Sequence, residues 1–128
     1  RLAHYLTEGR AFGPHGQDLV IADSLEHYND ELSRELTRKT VTCNLAVREL
    51  GYKPYIAPAL SSAAISILLT LRGAWHYGSL YLGDEKEGAF LGMKNRLTEK
   101  GFEYEDAALC PELYDRIRHA YLNLCRMK

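Results

Sequence analysis

At 128 residues, with 16 basic and 17 acidic side chains and a formal net charge of −1, the chain lacks both the basic footprint of a nucleic-acid binder and the acidic block of a solvating tail. The length fits a single domain, residues 1–128, which buries about two-thirds of its unfolded surface and needs no covalent staples. Three cysteines, Cys43, Cys110 and Cys125, form neither an even set nor a Cys-x-x-Cys pair, so a disulfide framework is not expected and reduced thiols in a cytoplasmic protein are the plain reading.

From the start, Arg1 stands where a Met would open a complete chain, consistent with a domain excised from a longer protein, and no basic stretch leads into an apolar run as in a signal peptide. Leu2 to Glu8 reads as a short helix closed by Gly9. Gly9 to Gln17, with Gly9, Gly13, Pro14 and Gly16, reads as a loop. Leu19-Val20-Ile21-Ala22 is a short strand or the lead-in to a helix. Asp23-Ser24-Leu25-Glu26 has the acid-then-glutamate spacing of a capping box. From there Leu25, Tyr28, Leu32, Leu36, Thr40, Cys43, Val47 and Leu50 recur in steps of three or four, one helical stripe, with Gly51 and Pro54 as its stop. A helix from Ser24 to Leu50 would be about 40 Å long at 1.5 Å per residue, against a domain about 36 Å across. It should therefore span the domain, kink at the β-branched Thr40-Val41-Thr42, or reach into a subunit contact.

Pro54 to Gly83 carries one formal charge, Arg72, and so must be core, membrane or binding surface. Its first eighteen residues reach the lower length limit of a spanning helix, but they hold two prolines and three serines, and no membrane contact is expected. Ile65, Ile67, Leu69 and Leu71 alternate with Ser66, Leu68, Thr70 and Arg72, the pattern of a half-buried strand. With Trp75 to Leu82 and a return strand after the charged turn Gly83-Asp84-Glu85-Lys86-Glu87-Gly88, this gives an expected antiparallel meander at 64–72, 75–82 and 88–92. Met93 to Lys100 reads as a helix closed by Gly101, and Phe102 to Glu105 as a short edge strand. Pro111 to Arg126 reads as an amphipathic helix: Pro in the first turn, Glu112 and Asp115 near the positive end of its dipole, and Leu113, Ile117, Ala120, Tyr121 and Leu124 on one face.

The fold class expected is α+β: N-terminal helices including a long one, a small antiparallel meander, and a C-terminal amphipathic helix. The core should contain Leu25, Leu32, Leu36, Leu45, Leu50, Ile65, Ile67, Leu69, Leu71, Leu113, Ile117 and Leu124.

The chemistry is less sharply written. Arg72, Trp75, His76, Tyr77 and Ser79 set a guanidinium, an indole, an imidazole, a phenol and a hydroxyl beside an apolar stretch. Together they could line a pocket for a small acidic or aromatic ligand, with His76 able to transfer a proton near neutral pH. The competing reading is a strand with rim aromatics and one solvated histidine. Tyr77-Gly78-Ser79-Leu80 resembles the loop that opens γ-glutamylcyclotransferase-like domains. In that family a long barrel follows the loop, whereas fewer than fifty residues follow it here. The match covers four positions and assigns no family.

Gly13-Pro14-His15-Gly16 offers a glycine-flanked histidine but neither a Walker nor a Rossmann pattern. His15, His76, His119, Cys110 and Cys125 show no metal-ligand spacing, so neither a metal nor another cofactor is expected. Asp23, Glu26, Asp30, Glu31 and Glu35 could attract a divalent cation. However, Arg34, Arg38 and Lys39 are interleaved so that Asp30–Arg34 and Glu35–Lys39 pair at i, i+4, which favours a self-neutralising solvated face. Ser61-Ser62 lacks the Gly-x-Ser-x-Gly elbow of a nucleophile.

Nine tyrosines against three phenylalanines suit surfaces where a ring must end in a polar partner. With no nucleophile, base and orienter at recognisable spacing, the expected function is a small soluble intracellular binding or interaction module, a homodimer or other homo-oligomer with a possible protein partner. The alternative is a small enzyme or small-molecule sensor whose pocket holds Arg72, Trp75, His76, Tyr77 and Ser79.

Overall fold

The computed structural model describes residues 2–53 and 56–127, and the side chains within them except those of residues 2 and 56–60. The architecture is α+β, as the sequence predicts. A short helix α1 (Leu2–Thr7) ends where the amides of Glu8 and Gly9 both donate to the His4 carbonyl. A Cβ on Gly9 would sit within 3 Å of the Tyr5 ring and of the carbonyls of Ala22 and Asp23, so only glycine fits there. The expected loop after it instead begins with a strand, β1 (Arg10–Phe12), which pairs antiparallel with β2 (Val20–Ala22). Gly13, at φ +102°, then donates its amide to the Gly92 carbonyl and fastens this hairpin to the main sheet.

The long helix, α2 (Asp30–Glu49), starts six residues later than the sequence suggests. Its cap is Asn29, whose Oδ1 accepts from the Leu32 amide at 2.8 Å. Ser24 caps only a local turn, accepting from the His27 amide at 3.0 Å. Twenty residues give a helix about 30 Å long. It fits the domain without a kink at Thr40-Val41-Thr42, so its length no longer argues for a subunit contact. Gly51, at φ +82°, follows its C-terminus; Pro54 lies outside the described residues.

The largest correction concerns the low-charge segment. The expected strand 64–72 is the second half of a helix, α3 (Ile56–Leu71). Its half-buried positions include Ser66, Leu69 and Thr70, spaced three and four apart, while Ile65, Ile67, Leu68 and Leu71 face outward. The alternation in the sequence thus arises because Ile65, Ile67 and Leu71 lie outside while Ser66 and Thr70, with Leu69, lie on the inner side. Ser66 Oγ donates to the Tyr77 carbonyl at 3.2 Å, tying the helix to the sheet.

That sheet is an antiparallel meander of β3 (His76–Gly83), β4 (Gly88–Thr98) and β5 (Gly101–Tyr104). β3 pairs from His76↔Asn95 to Gly83↔Gly88, and β5 from Asn95↔Tyr104 to Thr98↔Gly101. The helix expected over 93–100 is therefore the second half of β4 and a turn: pairing on both edges outweighs the local helix preference of Met-Lys-Asn-Arg-Leu.

The helix α4 (Pro111–Arg126) has Pro at its first position and buries Leu113, Ile117 and Ala120, as its stripe predicts. Leu113 and Ile117 meet Val20, Ala22 and Leu91 in the core, with Leu25, Tyr28, Leu82, Met93 and Leu124 packed around them. Six other expected core residues, Leu32, Leu45, Leu50, Ile65, Ile67 and Leu71, are exposed, because the elements that carry them turn those positions away from the sheet. Leu36 and Leu69 are half-buried.

A charged cluster holds the N-terminal segment down. Arg10 grips Glu105 with two parallel bonds, Nε to Oε2 at 2.5 Å and Nη2 to Oε1 at 2.7 Å, while its Nη1 donates to the carbonyls of Thr7 and Gly9. Lys94 Nζ donates to the same Glu105 Oε1 and to the Leu6 carbonyl, both at 2.7 Å. Both cations thus satisfy the open carbonyls at the end of α1, where positive charge is favoured.

Candidate functional site

Alternation along β3 sends His76, Gly78, Leu80 and Leu82 to one face of the sheet and Tyr77, Ser79 and Tyr81 to the other, which separates the five residues the sequence groups. Arg72 lies exposed in the turn after α3. Trp75 is half-buried, its ring 4.5 Å from the Arg96 guanidinium carbon and 5.6 Å from the Lys94 ammonium, both cation–π distances.

His76 is 5% exposed and its two ring nitrogens are both engaged. Nδ1 donates to the Ala74 carbonyl at 3.0 Å, and Nε2 lies 2.9 Å from the Thr70 hydroxyl, which itself donates to the Ser66 carbonyl at 2.9 Å. The imidazole therefore joins β3 to α3 and has no nitrogen turned toward a substrate. Tyr77 is similarly occupied: its hydroxyl donates to the Tyr5 carbonyl at 2.5 Å and accepts from the Ala11 amide at 3.3 Å. Burial pushes its phenol above the ordinary tyrosine value.

Tyr77 and Ser79 do share one cavity, of about 360 Å³, and its other walls include Phe12, Pro14, His15 and Phe90. The Gly13-Pro14-His15 loop thus meets two residues of the expected pocket, while Arg72, Trp75 and His76 lie elsewhere. Sequence reasoning treats the two segments separately. What joins them is the Gly13–Gly92 bond between distant glycines, which has no sequence signature.

Among the described residues no three His, Cys, Asp or Glu side chains gather as metal ligands, and the three cysteines are unpaired with one another. The expected ion pairs on α2 are present: Arg34 Nε to Asp30 Oδ2 at 2.6 Å, and Lys39 Nζ to Glu35 Oε1 at 2.6 Å.

The most unusual surface is that of α3. Ile65, Ile67, Leu68 and Leu71 are 53%, 61%, 53% and 76% exposed on a helix with no charged residue. Apolar side chains scattered singly over a surface are ordinary, whereas four on one short uncharged helix form a patch that calls for a cover. Among the described residues, no helix is long and apolar enough to cross a membrane. Elsewhere Tyr81 and Phe90 stack edge to face across β3 and β4 at 5.4 Å, both substantially exposed. Compared with protein-family models, curated proteins and solved structures, the chain matches none of them.

Proposed function

We propose that the chain is a protein-interaction module that self-associates through the outward face of α3. The observation that carries this reading is the inversion of that helix, which turns hydroxyls toward the sheet and Ile65, Ile67, Leu68 and Leu71 toward solvent. Charge selects the partner. From Ile56 to Leu71 the helix offers nothing to a charged ligand surface, whereas a second copy presents the same uncharged face about a two-fold axis. Fully burying an aliphatic side chain gains roughly 1.5–3 kcal/mol. Four partly exposed ones from each protomer gain on the order of 10 kcal/mol, against about 4–15 kcal/mol lost on association. The expected dimer is therefore weak and concentration-dependent. Three unpaired thiols fit a reducing, cytoplasmic setting.

The test is solution mass by light scattering over a range of concentrations without detergent, for the native chain and for a Leu68→Glu/Leu71→Glu variant. A mass that rises toward the dimer in the native chain but stays monomeric in the variant supports the reading. A native chain that remains a monomer up to millimolar concentration overturns it.

A second reading, a small-molecule sensor, rests on the cavity shared by Tyr77, Ser79 and His15. Its mark would be a ligand whose binding is lost on Ser79→Phe while the solution mass is unchanged.

A further inference from the structure

A polar cleft lies between α2, α4 and the segment leading into β2, apart from the cavity of Tyr77 and Ser79 and from α3. It consists of two adjoining spaces of about 500 and 350 Å³ that share Gln17, Arg34 and Arg116 as walls. The smaller space adds Arg38 and has no carboxylate in its lining; the larger adds Asp18, Glu112 and Asp115. The cleft therefore has a cationic end and an anionic end.

The cationic end is built rigidly. Arg116 has a side chain only 16% exposed. Its Nη1 is held by the Tyr28 hydroxyl at 2.8 Å, the Ser33 hydroxyl at 2.5 Å and Asp30 Oδ1 at 3.2 Å. Among the described residues nothing accepts from its Nε or Nη2, and no buried side-chain nitrogen lacks a partner, so these donors open to the cleft. Arg34 spends Nε on Asp30 Oδ2, which leaves its two terminal nitrogens. Arg34 and Arg116 thus share Asp30, while Glu112 also acts on Arg34, and among the described residues Arg38 has only Glu35, outside the lining, as its electrostatic neighbour. A phosphomonoester carries about −1.5 to −2 at pH 7 and three strong acceptors, and guanidinium forks match it geometrically. At the other end Asp18 is held in place by Asn123 Nδ2 at 3.0 Å, with Asp115 and Glu112 beside it along the cleft.

We propose that this cleft binds a small phosphomonoester that also carries an ammonium group, with the phosphate on Arg34, Arg38 and Arg116 and the ammonium toward Asp18 and Asp115. The cleft lies apart from α3, so this site stands or falls independently of self-association.

The experiment is a titration of the full chain at low salt, read by calorimetry and amide chemical shifts, with O-phosphoethanolamine, inorganic phosphate and ethanolamine as probes. The expected order is O-phosphoethanolamine tighter than phosphate by about tenfold, and ethanolamine without measurable binding; one charge-assisted contact is worth roughly that factor. Arg38, exposed and with no side-chain hydrogen bond among the described residues, can be changed without disturbing the core; its carbonyl bond from the Thr42 hydroxyl is unaffected by the side chain. Arg38→Gln should weaken both phosphate probes about tenfold, and Asp115→Asn only O-phosphoethanolamine. Absence of shifts around Arg34, Arg38 and Arg116 with either phosphate probe overturns the site, as does unchanged affinity in Arg38→Gln. Equal affinity for phosphate and O-phosphoethanolamine overturns the ammonium subsite and with it the proposal as stated.

Discussion

Replacing Glu105 by glutamine tests the cluster that anchors the N-terminal segment. The side chains of Arg10 and Lys94 are 7% and 9% exposed, and Glu105 is the carboxylate both contact, itself 22% exposed. Removing one partner of a buried ion pair costs about 3–5 kcal/mol, because the remaining charge stays desolvated. Glutamine keeps one acceptor and the carboxylate is partly solvated, so the loss should fall near the low end, about 3 kcal/mol. That is a large share of the 5–15 kcal/mol typical of a domain.

Urea unfolding of Glu105→Gln beside Glu103→Gln reads the difference. Glu103 pairs with Arg96 where both are about 40% exposed, so its loss should cost under about 1 kcal/mol. The two cations should also be coupled: Lys94→Met should cost less in the Glu105→Gln background than in the native chain. The hydrogen bond from Arg10 holds Glu105 below the ordinary carboxylate value, against the opposing pull of burial, and the bond from Lys94 adds to it. A carboxylate depressed in this way contributes stability above its unfolded value of about 4.3, lost as pH falls through the lower folded value. The native chain should therefore lose stability in acid with a steeper slope than Glu105→Gln. A destabilisation below about 1 kcal/mol for Glu105→Gln, or identical acid slopes, would refute the electrostatic account of this anchor.

Two further predictions concern packing. A Cβ on Gly92 would sit 2.8 Å from the Gly13 carbonyl; Gly92→Ala should cost roughly 1–3 kcal/mol and speed amide exchange in β1 and β2, whereas unchanged exchange there would show that the contact does not fasten the hairpin. Leu113, 0% exposed, and Leu45, 52% exposed, should respond unequally to alanine: about 2–5 kcal/mol for the first and under about 1 for the second, with equal shifts in the thermal midpoint contradicting the core described above.

The parts of the fold legible in the sequence are those in which one local signal had no competitor. Pro111 opens α4 and its stripe recurs at helical spacing; the charged turn after Gly83 fixes the β3–β4 hairpin; Phe102 and Tyr104 fall on the edge strand β5. The start of α2 was obscured because Ser24 and Asn29 both make capping bonds, and only the second is continued by helix. α3 misled for a physical reason. Periodicity reveals an element only when its apolar side is buried, and here the apolar side is out, so Ser66 and Thr70 look like the polar face of a strand. The five residues grouped in the sequence are divided between two faces because β3 alternates: His76 and Tyr77 are adjacent in sequence and on opposite faces, while Tyr77 and Ser79 share one cavity. The arginine cleft had a partial signal in the Arg34 and Arg38 spacing, but Arg116 joins it across 86 residues from Asp30, a distance no local pattern records.

The long reach of the Arg10–Glu105 pair, 95 residues, also sets the order in which the molecule can be made. β3, β4 and β5 close across short turns at little entropic cost, while α1 and β1 are held by Gly92, Lys94 and Glu105, far along the chain. During synthesis at about 5–20 residues per second, Arg10 precedes Glu105 by roughly 5–20 s. Throughout that interval its guanidinium, destined for burial, remains hydrated, and the N-terminal hairpin has no β4 to lie on. The hairpin can therefore take its place on the sheet only after Gly92 and Glu105 have been made.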